Sequence, residues 1–193
     1  VVVVGAGVFV TWTAFHLAEA GAAVTLVDAY RPGNSRASSG DETRILRCGY
    51  GADVVYSDMA RRSLPQWRAL DERAGGGERL WRPCGVLWMA AGGDSYTAAT
   101  RRAFDDGGYV HEVLDRDALA SRFPEIDAAG ITVALFEPDG GILMARRAVR
   151  TLAGDLERRG VRLLRGRIGG LSGLPGSVTT DDGTRLAGDG FVL

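Results

Sequence analysis

The chain of 193 residues carries almost equal numbers of acidic and basic side chains, and 46% of its residues are hydrophobic, as in an ordinary globular protein. Its formal net charge of -1 creates no field that would attract nucleic acid or an anionic membrane. No apolar run approaches the ~20 residues that span a bilayer, and the absence of lysine excludes lysine chemistry within this stretch.

The N-terminal part opens with a predicted strand, helix and strand. Val1–Val4 is a short β-branched run, typical of a strand that is buried on both faces. A helix is predicted from Val8 to Ala20, and Ala22–Asp28 is a second apolar strand, which together make a βαβ unit. The stripe of the helix that should face the sheet is Val10, Ala14, Leu17 and Gly21.

The middle of the chain is first polar and then mixed. Arg31–Arg47 is a polar loop, long enough to be functional rather than a plain connection. Helical stretches are predicted from Val54 to Arg73, with a kink or a fresh helix start at Pro65. Shorter pieces follow and indicate a second layer inserted into the first: a strand at CGVLWMA, helices at 95–106 and 117–122, and a strand at 131–136.

The last part returns to longer elements. VRLLRGRI predicts a strand, SVTTDDGTRLA predicts a hairpin with Asp182 and Gly183 at its tip, and Phe191–Leu193 begins another strand. Ala145–Arg159 predicts an amphipathic helix, whose inward side chains are Ala148, Val149, Leu152 and Leu156.

The two cysteines and the two ends of the chain suggest its setting. Cys48 and Cys84 are isolated thiols without metal-ligand spacing, which favours a reduced, cytoplasmic protein over a disulfide-linked one. There is no initiator methionine, and both ends read as parts of buried strands. We therefore expect a fragment that is truncated at both ends and inactive by itself, with further active-site groups beyond Leu193.

The turn GAGVFV has two of the three glycines of the G-x-G-x-x-G loop that binds dinucleotides. Gly5 permits the tight turn, and Gly7 lets the backbone approach a pyrophosphate at the positive end of the helix. Val10 stands where the third glycine allows helix and strand to pack closely. Here it should push the helix outward or find a hollow, at a cost of about 1–3 kcal/mol.

Asp28 ends the second predicted strand, where a carboxylate can accept hydrogen bonds from the ribose hydroxyls of an adenosine. It would repel the 2′-phosphate of NADP, despite the nearby Arg31. The alternative interpretation is a glycine turn that merely leads into a helix, followed by a surface acid. The order of strand, loop, helix, strand and acid favours a dinucleotide site.

Four segments follow one another along the chain: SSGDETRILRCGYG, CGVLWM, FEPDGGIL and GVRLLRGRI. They resemble the corresponding segments of the monomeric sarcosine oxidase family, whose members are FAD-dependent amine oxidases of the D-amino-acid-oxidase-like superfamily. The resemblance covers essentially the whole chain and corresponds to roughly the first half of such an enzyme. It implies an α/β fold class, with a Rossmann-like FAD-binding domain at 1–75 and 141–193 and an inserted α+β portion of a substrate domain at 76–140.

The resemblance also implies residue roles. Arg47 corresponds to the arginine that binds the substrate carboxylate, and Arg44 to one that lies against the isoalloxazine ring; without the resemblance, both would read as surface arginines in salt bridges. Ser39 and Gly40 depart from the paired histidines of well-known members. The implied FAD contacts are Gly5, Ala6, Gly7 and Val8 at the pyrophosphate, Asp28 and Ala29 at the ribose, Ile168 at the adenine, and Ser38, Ser39, Thr43 and Arg44 at the flavin.

The activity that the resemblance implies is oxidation of the CH–NH bond of a small amino acid, such as the N-methylated sarcosine, to an imine. FAD would take the electrons, and O2 would reoxidise it to give H2O2. We expect no metal, nucleic-acid or membrane partner. Two alternatives stay open. An NAD-dependent dehydrogenase would continue as regular βα repeats after residue 30, and a catalytically inactive FAD-binding protein is suggested by Val10 and by the expected truncation.

Overall fold

The computed structural model describes residues 1–75, 79–170 and 176–193. These residues form two compact units, one made of Val1–Arg44 with Met144–Leu193 and the other of Ile45–Leu143. The second unit begins earlier than the predicted domain boundary at residue 76 and ends close to the predicted boundary at residue 140. The assignment of cofactor and substrate domains to parts of the chain stays a prediction.

The elements are as follows, in chain order within the described ranges. The helices are α1 (Val8–Glu19), α2 (Val54–Ala74), α3 (Ser95–Gly107), α4 (Arg116–Arg122) and α5 (Ala145–Arg158). The strands are β1 (Val2–Val4), β2 (Thr25–Asp28), β3 (Arg44–Leu46), β4 (Trp81–Arg82), β5 (Val86–Ala90), β6 (Glu112–Leu114), β7 (Val133–Glu137), β8 (Gly141–Leu143), β9 (Arg162–Arg165), β10 (Ile168–Gly170), β11 (Ser177–Thr180), β12 (Arg185–Ala187) and β13 (Phe191–Val192).

A four-stranded parallel sheet is the centre of the first unit. Its strand order is β13-β1-β2-β9, and Val3 of β1 lies opposite Leu26 of β2. Helix α1 connects β1 to the parallel β2, so the predicted βαβ unit is confirmed. The mixed α/β fold class with a Rossmann-like start is confirmed as well.

Alternate residues of this sheet face two different layers. Val2 and Val27 pack with Val178 and Leu186 of the antiparallel sheet β10-β11-β12. Val3 points to the opposite face and is fully buried, on the side where α1 contacts β1 and α5 contacts β9. Because β1 is buried on both faces, its sequence is a run of β-branched residues and does not alternate between polar and apolar side chains.

The two helices of the first unit agree with the predictions to different degrees. The four inward side chains predicted for α5 are all fully buried. In α1 the predicted stripe is correct only at Ala14, because the other buried residues are Thr11 and Phe15, while Gly21 is exposed. Thr11 can be buried since its hydroxyl donates a hydrogen bond of 2.8 Å to the Gly7 carbonyl oxygen.

The second unit contains a three-stranded antiparallel sheet with β7 in the centre, between β5 and β6. Helix α4 packs on it, and Leu119 and Phe136 belong to one apolar cluster there. Helix α2 runs continuously through Pro65, so no fresh helix starts at that residue. No helix among residues 1–75, 79–170 and 176–193 combines the length and the apolar character needed to cross a membrane.

Candidate dinucleotide and substrate site

The turn between β1 and α1 is built on glycine. Gly5 has φ +106°, a backbone conformation that side chains rarely adopt, and its N–H donates to the Val27 carbonyl oxygen at 2.7 Å. Gly7 is the N-cap residue of α1 and has no side chain to accept from the first turn. The helix therefore begins with backbone N–H groups that lack an intrahelical acceptor.

Val10 is accommodated without the predicted overpacking. Its methyl groups lie beside the bare backbone of Gly5, and a Cβ placed on Gly5 would still be 3.5 Å from Val10 Cγ2, an ordinary van der Waals distance. The turn therefore has space for the valine, and Gly5 is required for its positive φ rather than to make room. A valine at the position of the third glycine fits this turn without a clash.

The Asp28 carboxylate holds the loop from the end of β2. Its Oδ2 accepts a hydrogen bond of 2.8 Å from the Ala6 N–H, and its Oδ1 accepts one of 2.7 Å from the Tyr30 N–H. One side chain therefore ties the glycine loop to the segment that leaves the sheet. Since each carboxylate oxygen has two lone pairs, both oxygens keep capacity to accept a further hydrogen bond from a ribose hydroxyl.

Ser39 approaches the start of α1 from the polar loop. Its Oγ accepts a hydrogen bond of 3.3 Å from the Val8 N–H, and a Cβ on Gly7 would be 3.9 Å from the same oxygen. The structure thus brings Ser39 to Gly7 and Val8, as their predicted roles at one cofactor require. The hydroxyl can bridge the helix start and an anion bound there.

Arg146 of α5 fixes the polar loop, a role that sequence reasoning missed. Its Nε and Nη2 both donate to the Gly40 carbonyl oxygen at 3.1 Å, and its Nη1 pairs with Glu42 at 3.1 Å. Gly33 packs so closely that a Cβ would lie 2.8 Å from the Arg146 carbonyl oxygen. A helical arginine far along the chain carries no sequence signal for this contact.

A cavity of about 500 Å³ lies at the ends of β2 and β9. It is lined by three arginines and two carboxylates, which gives an excess of positive charge beside Asp28. Ala29 and Ile168 are not among its lining residues; Ile168 pairs with Thr180 in the antiparallel sheet. The lining includes Ala6, Asp28, Arg31, Arg150, Glu157 and Arg165.

The other residues predicted to contact the flavin are exposed at the end of the loop. Ser38, Thr43 and Arg44 are all solvent-exposed. The Arg44 guanidinium forms an ion pair with Asp41 and donates a hydrogen bond to the Ser38 carbonyl oxygen. Arg44 thereby shapes the loop, and its contact with the flavin stays a prediction.

Arg47 belongs to the second unit, whereas Arg44 belongs to the first. The half-buried guanidinium of Arg47 stacks on the Trp88 ring at 4.5 Å and on the Tyr50 ring at 5.0 Å. In the part of the second unit that the structure describes, no carboxylate forms an ion pair with it. A cation held by aromatic faces, without an anion of its own, is suited to bind an external carboxylate.

Glu137 contacts the backbone of the segment that follows Arg47. It is 2% exposed, and its two oxygens accept hydrogen bonds from the backbone N–H groups of Cys48 and Gly49. Burial raises the pKa of Glu137, and the two N–H donors oppose that shift. Burial, together with the charge of Glu137, raises the pKa of the Cys48 thiol to about 12.

Comparison with known proteins identifies the family. The whole chain, residues 1–193, matches the DAO family, described as FAD dependent oxidoreductase. The chain belongs to this family. The resemblance recognised from the SSGDETRILR and FEPDGG segments is therefore confirmed.

Two curated relatives are oxidases of N-methylated amino acids. Monomeric sarcosine oxidase from Bacillus sp. (strain B-0618) is 31% identical over 165 residues, which cover 85% of this chain and 42% of that protein. N-methyl-L-tryptophan oxidase from Yersinia pestis (strain Pestoides F) is 26% identical over 163 residues, covering 84% and 43%. The chain thus spans about two fifths of the length of these relatives.

Solved structures of the same fold extend over nearly the whole chain. L-proline dehydrogenase from P. horikoshii matches 98% of this chain and 50% of its own, with a TM-score of 0.84 and 19% identity. A modified fructosyl peptide oxidase from Aspergillus nidulans matches 100% and 49%, with a TM-score of 0.81 and 20% identity. At such identities the likeness establishes the fold of the DAO family and nothing finer.

Proposed function

We propose that this chain is part of an FAD-dependent oxidoreductase that oxidises the CH–NH bond of a small N-methylated amino acid, such as sarcosine, to an imine. The observation that supports the proposal is Arg47, whose guanidinium lies over two aromatic rings and has no ion pair among the described residues of its unit. An amino-acid substrate has a carboxylate for it to bind. The similar proteins named for sarcosine and N-methyl-L-tryptophan point to the same substrate class.

The residues of the first unit fit FAD. The start of α1 has no N-cap side chain and presents its positive dipole end to a pyrophosphate, with Ser39 at the Val8 N–H, and Gly7 leaves the backbone open to close approach. Asp28 offers lone pairs to ribose hydroxyls beside a cavity with an excess of arginines. We assign the pyrophosphate to Gly5, Ala6, Gly7 and Val8, the ribose to Asp28 and Ala29, the adenine to Ile168, and the flavin half to Ser38, Ser39, Thr43 and Arg44.

Each protein group has a physical task in this reaction. When bound, FAD supplies the acceptor for the two electrons of the CH–NH bond, and O2 reoxidises it to give H2O2. Arg47 binds and orients the substrate carboxylate through a planar, permanently charged donor fork. Arg44 is assigned the positive charge beside the flavin ring, and its exposed ion pair with Asp41 offsets part of that charge.

The antiparallel sheets of the second unit weigh against the NAD-dependent alternative, which predicts a regular series of βα repeats. The inactive alternative loses one of its two motives, because Val10 fits beside Gly5 without a clash. We also propose a cytoplasmic location, since Cys48 and Cys84 are both free thiols in the described structure. That O2 is the electron acceptor is also part of the proposal.

The test is a visible absorption spectrum of the protein expressed from its complete reading frame, before and after anaerobic addition of sarcosine. We expect flavin bands that bleach with sarcosine and return with O2, together with one equivalent of H2O2. Sarcosinamide, which lacks the carboxylate, is the matched control and should bleach the bands only at much higher concentration.

The outcomes separate the parts of the proposal. Flavin bands that persist with sarcosine and with larger N-methyl amino acids would reject this substrate class and leave the cofactor in place. A colourless protein that binds no added FAD would reject the whole function. Equal response to sarcosine and sarcosinamide would reject the role of Arg47.

A further inference from the structure

A buried carboxylate binds the backbone next to Arg47, the arginine that we propose binds the substrate. Glu137 is the last residue of β7, the central strand of its sheet, and is 2% exposed. We propose that Glu137 is a positioning residue for Arg47: by binding the backbone N–H groups of Cys48 and Gly49, it sets the direction from which the guanidinium meets the substrate carboxylate. This inference rests on the proposed function for its substrate and on the described contacts for its geometry.

The two hydrogen bonds act on adjacent peptide groups. The Cys48 N–H, which donates to Glu137 Oε1, belongs to the peptide that joins Arg47 to Cys48. The Gly49 N–H, which donates to Oε2 at 3.3 Å, belongs to the next peptide. Holding the first peptide restrains the ψ angle of Arg47, because ψ is the rotation of that peptide plane about the Cα–C bond of the arginine. The orientation of the backbone therefore sets the direction in which the Arg47 side chain extends.

Other residues of the second unit hold the same segment from different sides. A Cβ on Gly49 would lie 2.7 Å from Cζ2 of Trp88, so the backbone there touches the indole that also stacks on Arg47. Further along, the Gly51 N–H donates to Thr100 Oγ1 at 3.0 Å, and Thr100 is fully buried. The segment 47–51 is thus held at three of its peptide groups and by one aromatic ring.

A carboxylate is a costly group to bury, which makes its presence informative. Its desolvation raises the pKa of Glu137, and an uncharged side chain of similar size would fill the space at less cost. What glutamate adds is acceptance through two oxygens at once. Glutamine has one such oxygen and would turn an NH2 group towards the other N–H. The feature that only glutamate provides is simultaneous fixation of both peptides.

The test compares Glu137→Gln with Glu112→Gln in the protein expressed from its complete reading frame. Glu112 is an exposed residue of β6 that pairs with Arg122, so the control makes the same chemical change in the same unit. Two quantities are measured: amide hydrogen exchange of the peptide that contains residues 47–51, and anaerobic flavin reduction as a function of sarcosine concentration. The first depends on no assumption about the reaction.

For Glu137→Gln we expect faster exchange at Cys48 and Gly49, and about a tenfold rise in the half-saturating sarcosine concentration. The limiting reduction rate and the flavin spectrum should stay within about twofold of the unchanged protein. Glu112→Gln should change none of these quantities. If Glu137→Gln does not fold, Glu137→Asp keeps the charge while shortening its reach, and the same pattern is expected from it.

If amide exchange at residues 48 and 49 is unchanged in the Glu137 variants, the inference is overturned, whatever the substrate. Faster exchange with an unchanged half-saturating concentration would also overturn it, since Glu137 would then stabilise the fold without directing Arg47. Failure of the unchanged protein to respond to any N-methyl amino acid would overturn the proposed function together with the substrate role of Glu137. That outcome is distinguishable from the first two because it appears before any substitution is made.

Discussion

The backbone N–H of Ala6 donates a hydrogen bond of 2.8 Å to the Asp28 carboxylate. A residue expected to serve only the ribose thus also holds the glycine loop in place. Asp28→Asn should lower the free energy of unfolding by about 1–2 kcal/mol, because the amide cannot accept from both Ala6 and Tyr30. Thermal unfolding and FAD titration measure the effect, with Asp106→Asn as an exposed control. Equal stability of the two variants would contradict this role.

Arg146 connects α5 to the polar loop. In Arg146→Ala, the loss of both hydrogen bonds to Gly40 should loosen residues 33–42. Because the side chain is half-exposed, we expect the free energy of FAD binding to weaken by about 1 kcal/mol. Limited proteolysis should cut within the loop of this variant first. Arg158→Ala, on the same helix and with an exposed guanidinium that pairs with the buried Asp155, is the control and should leave the cleavage pattern of the loop unchanged. Identical cleavage of both variants would count against the anchor.

Val10 should be neutral for cofactor binding. Val10→Gly removes methyl groups that rest against Gly5 and puts glycine into α1, so we expect a loss of roughly 1 kcal/mol of stability or more. FAD affinity should not rise. The alternative, in which valine spoils the site, predicts tighter FAD binding in Val10→Gly. A fluorescence titration of FAD, made beside a thermal melt, decides between these outcomes.

Gly49 is required by close packing rather than by its backbone angles. In Gly49→Ala the new methyl group would lie 2.7 Å from Trp88 and 3.0 Å from Thr100, so the indole or the backbone has to move. We expect a stability loss of about 1–3 kcal/mol and weaker binding of sarcosine. Gly92→Ala, whose methyl group would lie 3.9 Å from Thr132, should cost far less. Urea unfolding of both variants measures the difference.

The two thiols should differ in reactivity. Cys84 is exposed, whereas Cys48 is buried and its pKa is raised to about 12. At pH 8 a thiol reagent should label Cys84 rapidly and Cys48 only after unfolding, as peptide mass spectrometry can assign. Because folding raises the pKa of Cys48 above its ordinary value of 9.0, its contribution to stability is present below pH 9 and is lost as the pH rises towards 12. Rapid labelling of Cys48 in the folded protein would contradict its burial.

Local patterns were enough to predict much of the fold. The β-branched run, the glycine turn and the acid at the end of β2 are short-range features, and they predicted the βαβ unit and the bounds of α1 closely. The stripe of α5 was also predictable, because a helix that packs on one side repeats its apolar residues at helical spacing. The stripe of α1 was not, since Thr11 is buried through a hydrogen bond that its hydrophobicity does not reveal.

The sequence by itself determined the fold class and the family, and it predicted which residues bind a nucleotide and a carboxylate. Tertiary structure decided how those residues are held. The roles of several residues depend on a contact with one partner: Glu137 with Cys48, Arg146 with Gly40, and Val10 with Gly5. The members of the first two pairs are far apart along the chain. A hydrogen bond or a close packing contact between distant residues depends on the path of the backbone between them, and one sequence shows the residues without that path.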